Sequence, residues 1–316
     1  MTERIRTIVV GVQSLEGNGP DEPGGQEPAL ASSVDLARLL GARLHVVHAC
    51  EPPASALPRG CLPPADPGSR AAHAAAVARR MAALTGRFPD LEIEGHAVEG
   101  SPALVLCDVA ARVGADLLVV GSSPRERLWR RLLGSTTEGV VRGASVPVLV
   151  VHEPLRLPLR RILLTTDLSD ESAAVLKRGV RTAGAAATAD AALRLLLAVS
   201  FEPRIPRSHW EEMLVRASEE ALGKVADGLG IHVETRIRAG EAGWQVVHEA
   251  EEWKPDLLVM GVHGRSGLRR LWLGGTAAAV LRGTPCNVLA VPAAAAVGEA
   301  RDPARRDEFE RESVLV

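Results

Sequence analysis

One segment of this chain occurs twice, and this repetition constrains the fold more than any other feature of the sequence. The stretch Ala115-Asp-Leu-Leu-Val-Val-Gly121 returns as Pro255-Asp-Leu-Leu-Val-Met-Gly261, at an offset of 140 residues. The same offset relates Val148-Leu149 to Val288-Leu289 without a gap. Self-similarity at a fixed offset indicates two copies of one folding unit. The length of 316 residues agrees with two copies, because a domain contains roughly 150 residues.

The start of each copy is also recognisable. Ile8-Val-Val-Gly-Val-Gln13 corresponds to Ile162-Leu-Leu-Thr-Thr-Asp167 at an offset of 154 residues, so the first copy is longer by 14 residues, the difference between the two offsets. We expect these residues in the Gly/Pro-rich stretches 17–28 and 52–68, whose composition is typical of loops. We predict one domain over residues 1–155, a second over 156–293, and a charged, disordered tail over 294–316.

Short apolar runs alternate with longer Ala-rich helical patterns in both copies. This alternation predicts a parallel sheet flanked by helices, and runs that are apolar on both faces are typical of strands covered on both sides. We therefore predict two tandem doubly wound, Rossmann-like α/β domains, each with a five-stranded, mostly parallel sheet. In the second copy the predicted strands cover 161–166, 192–199, 231–238, 256–261 and 287–291, and the predicted helices lie near 170–184, 208–228, 241–253 and 275–283.

Composition and charge exclude several classes of partner. The formal net charge is −2, and the chain has no Tyr and three Phe, so neither a basic face nor stacking residues point to nucleic acid. No apolar run is long enough to span a bilayer, and the start of the sequence lacks the pattern of a signal peptide. We expect a cytoplasmic protein that does not bind membranes.

The cysteines and histidines give no sequence signal for a metal site. The four cysteines contain no C-x-x-C pair, which favours reduced thiols with a packing role. His45 and His48 lie three apart on a predicted strand and therefore face opposite sides of it, which argues against joint ligation. The sequence predicts no metal ligands.

A glycine-rich pattern follows the fourth predicted strand of the second copy. Gly261-Val-His-Gly264 is separated by nine residues from Gly274-Gly275-Thr276, which opens an Ala-rich helix. Ligands of an open parallel sheet bind outside the carboxyl ends of its strands, and a helix N-terminus offers free N–H groups to phosphate. The pattern is neither a Walker A loop nor a G-x-G-x-x-G turn, because it lacks the Lys of the first and the position of the second. It predicts a phosphate-binding loop.

This G-x2-G-x9-G pattern, followed by a Ser/Thr position, resembles the signature of ATP-binding universal stress proteins. Thr165-Thr166-Asp167-Leu-Ser similarly resembles the P-T-D-x-S segment of that family, and the resemblance extends over residues 4–152 and 160–292. It implies a tandem two-domain member with the adenine nucleotide alpha-hydrolase-like fold. It also implies ATP or another adenine nucleotide as ligand, with Mg²⁺ as a candidate companion ion.

The resemblance also assigns residues to the site in the second copy. It implies that Thr165, Thr166 and Asp167 lie near adenine and ribose, with Val199 against the base. The loop and phosphate cradle would consist of Met260, Gly261, His263, Gly264, Gly274, Gly275 and Thr276. The Ser/Thr that directly follows the last Gly in the family is Gly275 here, so a hydroxyl contact is lost unless Thr276 replaces it. Two of these residues also have a purely structural interpretation: Asp167 as a helix N-cap and His263 as a solvated loop residue.

The first copy departs further from the pattern. Gly121, Gly134 and Ser135 keep the spacing, but Pro124 replaces the second glycine. Proline fixes φ near −65° and removes an N–H donor, so this loop cannot form the same cradle. Gln13 stands where the second copy has an aspartate, and an amide cannot supply a carboxylate to ribose hydroxyls. We predict a degenerate site in the first copy.

These features favour a stress-responsive regulatory protein that binds ATP or a related adenine nucleotide mainly in its C-terminal domain. No catalytic residue is predicted. Two other functions stay open. One is a scaffold that binds other proteins and in which both nucleotide sites of this chain have decayed. The other is a slow ATPase or phosphotransferase. The resemblance also implies pairing through the last strands, so the apolar edge segments 146–151 and 287–291 are candidates to pair within one chain, which would protect both edges from aggregation. A homodimer and an unknown regulatory protein partner are further candidates for assembly.

Overall fold

The computed structural model describes residues 4–15, 27–50, 67–122, 134–199, 209–262, 273–293 and 295. Strands and helices alternate through both halves of this part of the chain. The first half contains β1 Thr7–Gly11, α1 Pro28–Leu40, β2 Arg43–Cys50, α2 Pro67–Thr85, β3 Ile93–Glu99, α3 Pro102–Arg112, β4 Leu117–Gly121, α4 Ser135–Gly143 and β5 Val148–Val151. The second half contains β6 Leu159–Thr166, α5 Asp170–Gly184, β7 Ala187–Val199, α6 His209–Leu229, β8 Glu234–Ala239, α7 Ala242–Trp253, β9 Leu257–Gly261, α8 Gly275–Gly283 and β10 Asn287–Val291.

All ten strands belong to one sheet, in the order β3-β2-β1-β4-β5-β10-β9-β6-β7-β8. Within each half, every pair of neighbouring strands is parallel. The two halves have the same internal order. In the first, β2 and β3 follow on one side of β1, and β4 and β5 lie on its other side. The predicted pair of Rossmann-like α/β domains with five-stranded parallel sheets is therefore confirmed, whereas the exact domain boundaries stay predictions.

The two halves meet through β5 and β10, which pair antiparallel. Leu149 lies directly opposite Leu289, and Val148 and Val150 lie opposite Ala290 and Val288. The expected pairing of the two edge segments within one chain is thus observed. Because this pair is antiparallel, all strands of the second half run opposite to those of the first. The carboxyl ends of the two halves consequently lie at opposite edges of the ten-stranded sheet.

Helices cover both faces of the sheet and enclose one apolar core on each. Helices α1, α2, α5 and α6 pack on one face, and α3, α4, α7 and α8 pack on the other. The buried helix residues of the two cores include Leu30, Val77, Leu176 and Leu222 on the first face, and Leu106, Val140, Val246 and Leu281 on the second. Each core continues across the β5–β10 pair, so the halves share their apolar interior.

Local signals in the sequence explain where the helices start and stop. Helix α1 has a proline in its first turn, where the missing N–H costs no hydrogen bond. It ends at Gly41, whose φ of 61° is the left-handed conformation that glycine adopts without strain. The second-half helices lie within one residue of their predicted bounds. Strand β7 begins five residues earlier than predicted, because Ala187 pairs with Leu159 across a register shift before Arg161 pairs with Ala192.

Among the described residues, no helix combines the length and the apolarity that a membrane crossing would require.

A buried ion-pair network lies on the second face. Glu249 of α7 is 1% exposed, and its carboxylate accepts hydrogen bonds from Arg194 of β7, at 2.7 Å, and from Arg238 of β8. Burial by itself would raise the pKa of Glu249, but the hydrogen bonds from Arg238 and Arg194 outweigh it and lower that pKa. Arg194 also contacts the exposed carboxylate of Glu234, at 2.8 Å. The network joins the outer strands of the second half to α7.

Substitution of both leucines at the centre of the joint tests whether the halves share a core. We expect Leu149→Ala and Leu289→Ala each to lower the free energy of unfolding by about 2–5 kcal/mol, because each leaves a cavity. Since the two side chains are opposite each other, the double variant should show a coupling of about 0.5–3 kcal/mol in denaturant titrations. Leu104→Ala, at an exposed position, is the control. Strictly additive effects would contradict a shared core.

Removal of the Glu249 charge should give a pH-dependent loss of stability. A carboxyl whose pKa is lowered on folding stabilises the protein above its unfolded pKa and loses that contribution as the pH falls through its folded pKa. We expect Glu249→Gln to lower the free energy of unfolding at pH 7 by about 3–5 kcal/mol, since two guanidinium groups lose their buried partner. The difference from the wild type should shrink towards acid pH. Glu234→Gln is the matched control, with an expected cost of about 1 kcal/mol or less.

Candidate functional site

The order of strands in the second half reverses between β6 and β9, which are neighbours in the sheet. Such a reversal leaves a crevice outside the carboxyl ends of the two strands. Leu164 of β6 pairs with Val259 of β9, so the ends of these strands, at Thr166 and Gly261, lie side by side. Strand β7, which ends at Val199, borders β6 on the other side. The structure thus brings the strand-end residues of the predicted site to one edge.

Asp167 directly follows β6, in a tight connection to α5. One carboxylate oxygen, Oδ1, accepts hydrogen bonds from the N–H of Ser169, at 3.0 Å, and from its hydroxyl, at 2.6 Å. The other oxygen, Oδ2, is buried and has no hydrogen-bond partner among the described residues. The N-cap of α5 is Ser169, whose hydroxyl accepts from the N–H of Ser172, so capping does not account for Asp167. Its second oxygen is free for another donor.

The two threonines at the end of β6 hold this connection together. The Thr166 hydroxyl lies 2.8 Å from that of Ser172 and accepts the N–H of Leu168 at 3.0 Å. Leu168 has a φ of 61°, a left-handed conformation that a leucine rarely adopts. The Thr165 hydroxyl donates to the carbonyl of Val259 on β9, at 3.3 Å. The Thr166 hydroxyl therefore stabilises the turn that contains Asp167, and the Thr165 hydroxyl joins β6 to β9.

The far side of the crevice consists of the end of β9 and the start of α8. The side chain of Met260 is buried in the core, so only its main chain is at the edge, next to Gly261. The N–H of Gly274 donates to the carbonyl of Val262 at 3.4 Å and thereby brings α8 to the strand end. Gly274 is the N-cap of α8 and provides no side-chain cap.

The first turn of α8 is open on its outer side. Gly275 and Thr276 are exposed, and a Cβ at Gly275 would meet no atom of the described residues within 4 Å. Backbone N–H groups in the first turn of a helix lack intrahelical partners and attract anions. His263 and Gly264, the remaining members of the predicted cradle, lie outside the described residues. Val199 is half-buried at the end of β7, and its carbonyl accepts the N–H of Gly240 at 2.9 Å.

The first half has a carboxylate at the corresponding strand end, but a different residue supplies it. Glu27, the N-cap residue of α1, accepts hydrogen bonds from the N–H groups of Gln13, at 3.0 and 3.2 Å, and of Ser14, at 3.0 Å. Glu27 could not be found by comparing the two copies, because it lies 14 residues further along the chain than Gln13. An acidic residue directly before the helix-opening Pro28 was its only sequence signal.

A second difference between the halves lies at the end of β4. The buried hydroxyl of Thr137 in α4 donates to the carbonyl of Gly121 at 2.9 Å. Ala277 occupies the equivalent position in α8, so Gly261 receives no such bond from that position. Gly134 is the N-cap of α4 and Ser135 is exposed behind it, whereas Pro124 lies outside the described residues. Among the described residues, Glu27 and Thr137 therefore bond main-chain groups at the strand ends of the first half, and Thr137 has no counterpart in the second.

The fold defines a tandem Rossmann-like α/β protein whose two halves differ at the corresponding strand ends. The family model of the universal stress protein family matches residues 5–152 and again 158–292. The chain therefore belongs to the universal stress protein family and contains two copies of its domain.

Individual relatives agree with this assignment. A universal stress protein of Methanocaldococcus jannaschii is 33% identical over 141 residues, which cover 42% of this chain and 81% of that protein. One of Mycolicibacterium smegmatis is 28% identical over 236 residues, covering 70% of this chain and 76% of that protein. The crystal structure of a universal stress protein from Archaeoglobus fulgidus covers 90% of this chain and 96% of its own, with a TM-score of 0.60 at 16% identity, and supports the fold alone.

The Ser169 hydroxyl should contribute measurably to the stability of the turn after β6. It both caps α5 and donates to Asp167, so we expect Ser169→Ala to lower the free energy of unfolding by about 1 kcal/mol. Ser135→Ala, at the exposed first residue of α4, is the matched control, with an expected change within about 0.5 kcal/mol. Equal effects of the two substitutions in denaturant titrations would argue against the capping role of Ser169.

Proposed function

We propose that this protein is a stress-responsive regulatory protein that binds ATP or a related adenine nucleotide, with Mg²⁺ as its companion ion, between β6 and β9. The observation that most supports this proposal is the carboxylate of Asp167. It follows the strand at which the sheet order reverses, and its Oδ2 is buried without a partner among the described residues. A buried acceptor without a donor costs about 1–3 kcal/mol, which a bound ligand would recover.

The residues around the crevice fit the parts of an adenine nucleotide. An ionised carboxylate only accepts hydrogen bonds, and the hydroxyls of a ribose can donate to it. The uncapped start of α8, with Gly274 and Gly275, offers N–H groups and the positive end of a helix dipole to phosphates. Val199 offers an apolar contact for the base at the end of β7. Binding of this kind requires no catalytic group.

The first half fits the same ligand less well. Both oxygens of Glu27 already accept backbone N–H groups, and Gln13 has no carboxylate. The hydroxyl of Thr137 further ties the end of β4 to α4. A regulatory role then follows from the asymmetry, because a nucleotide that binds only one half favours the conformations in which that half is ordered.

Titration of the full chain with ATP and Mg²⁺ tests the proposal. We expect one nucleotide to bind per chain and to raise the melting temperature. We expect binding to be about tenfold or more weaker in Asp167→Asn, because the amide has no negative charge and its NH2 group cannot accept a hydrogen bond from a ribose hydroxyl. Gln13→Ala alters the equivalent position of the first half and is the matched control. It should bind ATP as the wild type does.

Each alternative function predicts a different result in these assays. Failure of millimolar ATP to change the melting temperature would contradict nucleotide binding and favour a scaffold for other proteins. Weaker binding in Gln13→Ala with no change in Asp167→Asn would place the ligand in the first half. Steady-state phosphate release that Asp167→Ala abolishes would instead indicate a slow ATPase.

A further inference from the structure

Three side chains with metal-binding atoms meet near the outer edge of the first half. His45 lies on β2, and Glu94 and His96 lie on the edge strand β3. His45 pairs in register with Glu94, and His96 pairs with Val47, two residues further along β2. Alternate residues of a strand face the same side, so all three side chains point to the face covered by α3. His45 is 4% exposed, and the side chains of His96 and Glu94 are 10% and 61% exposed.

The three donor atoms have the spacing of a coordination sphere. His45 Nδ1 lies 2.9 Å from His96 Nε2 and 3.6 Å from Glu94 Oε2, and His96 Nε2 lies 3.7 Å from Glu94 Oε1. Tetrahedral Zn²⁺ binds nitrogen and oxygen ligands at about 2.0–2.1 Å, which separates neighbouring ligand atoms by about 3.3–3.4 Å. The observed distances lie on either side of this value. Small shifts of the side chains would bring all three atoms into contact with one ion.

We propose that His45, His96 and Glu94 form a binding site for a divalent first-row transition metal, for which Zn²⁺ is the probe. Two imidazoles and a carboxylate are a donor set that suits such ions. Glu94 is exposed, so the open side of the cluster faces solvent and leaves a position for water. The ion would join β2 to the edge strand β3.

The facing nitrogens of the two histidines already share one hydrogen. Their rings stack with centroids 5.2 Å apart, and at 2.9 Å one ring donates an N–H to the lone pair of the other. A metal ion between the two rings replaces this hydrogen and accepts a lone pair from His45 Nδ1 and from His96 Nε2. The histidine that donated the hydrogen bond changes tautomer, so that its hydrogen lies on the ring nitrogen that faces away from the ion. Both histidines therefore stay neutral.

The charges that face the cluster permit a cation. Arg43 and Glu92 lie near His45, and Arg112 of α3 lies near His96. Both guanidinium groups form ion pairs with carboxylates, Arg43 with Glu92 and Arg112 with Asp108. Their positive charges are thereby offset, and the Glu94 carboxylate adds a negative charge next to both imidazoles.

The second half supplies an internal comparison. Its residues at the positions of His45 and Glu94 are Arg194 and Glu234, which pair in the same register on β7 and β8. There the guanidinium itself occupies the space beside the carboxylate, at 2.8 Å from it. An arginine has no lone pair for a metal. The same place in the fold is therefore a permanent ion pair in one half and a set of metal donors in the other.

This cluster is separate from the proposed nucleotide site. His45 and Glu94 lie near the amino ends of β2 and β3, whereas nucleotide binding is proposed at the carboxyl ends of β6 and β9. The two proposals can therefore fail independently, and the metal experiment is done without nucleotide.

Calorimetric titration of the full chain with Zn²⁺ tests the site. We expect one equivalent to bind and to raise the melting temperature, and Glu94→Gln and His96→Ala each to weaken binding about tenfold or more. Glu94→Gln preserves the shape of an exposed side chain, so we expect this variant to fold like the wild type. His48→Ala, on the same strand but the opposite face, is the matched control and should bind as the wild type does. Co²⁺ should give visible absorption without a thiolate charge-transfer band.

Two results would overturn the proposal. One is a wild-type chain that binds no stoichiometric Zn²⁺, in which case the His45–His96 contact is a structural hydrogen bond. The other is binding that persists unchanged in Glu94→Gln and His96→Ala, or Co²⁺ spectra with thiolate bands, both of which would place the ion elsewhere.

Discussion

The antiparallel pairing of β5 with β10 determines the arrangement of the whole molecule. Each half alone would end in an apolar strand with unpaired backbone groups, which is a surface that invites aggregation. The pairing satisfies both edges at once and makes one ten-stranded sheet with a continuous core on each face. It also reverses the direction of the second set of strands, so the two strand-end crevices open at opposite edges and cannot cooperate on one ligand.

The two crevices have diverged through a few side chains. In the second half, Asp167 keeps one carboxylate oxygen without a partner among the described residues, and the start of α8 is uncapped by any side chain. In the first half, Glu27 and Thr137 bond main-chain groups at the ends of β1 and β4. Among the described residues, the same fold thus carries different polar contacts at its two strand ends. A similar divergence separates the ion pair of Arg194 with Glu234 from the donor cluster of His45 with Glu94.

The fold could be predicted from the two copies, but the contacts between distant residues could not. Glu27 was missed because the residues it bonds lie far from it in the sequence, and Thr137 because its acceptor is a main-chain carbonyl. Histidine spacing within β2 gave no metal signal, because the partners of His45 are on β3, about 50 residues away. A local pattern does not report which strands become neighbours, or in what register.

The sequence by itself determined the repeat, the parallel strand–helix alternation, the positions of the second-half helices and the residues at the end of β6. Those features depend on local periodicity and on similarity between the copies, and both can be recognised from the order of residues alone. Only the tertiary structure decided that Ser169 rather than Asp167 caps α5, that the two sheets become one, and that His45, Glu94 and His96 meet. The reason is physical: hydrogen bonding and burial across strands depend on pairing and register, which arise only when the distant segments pack.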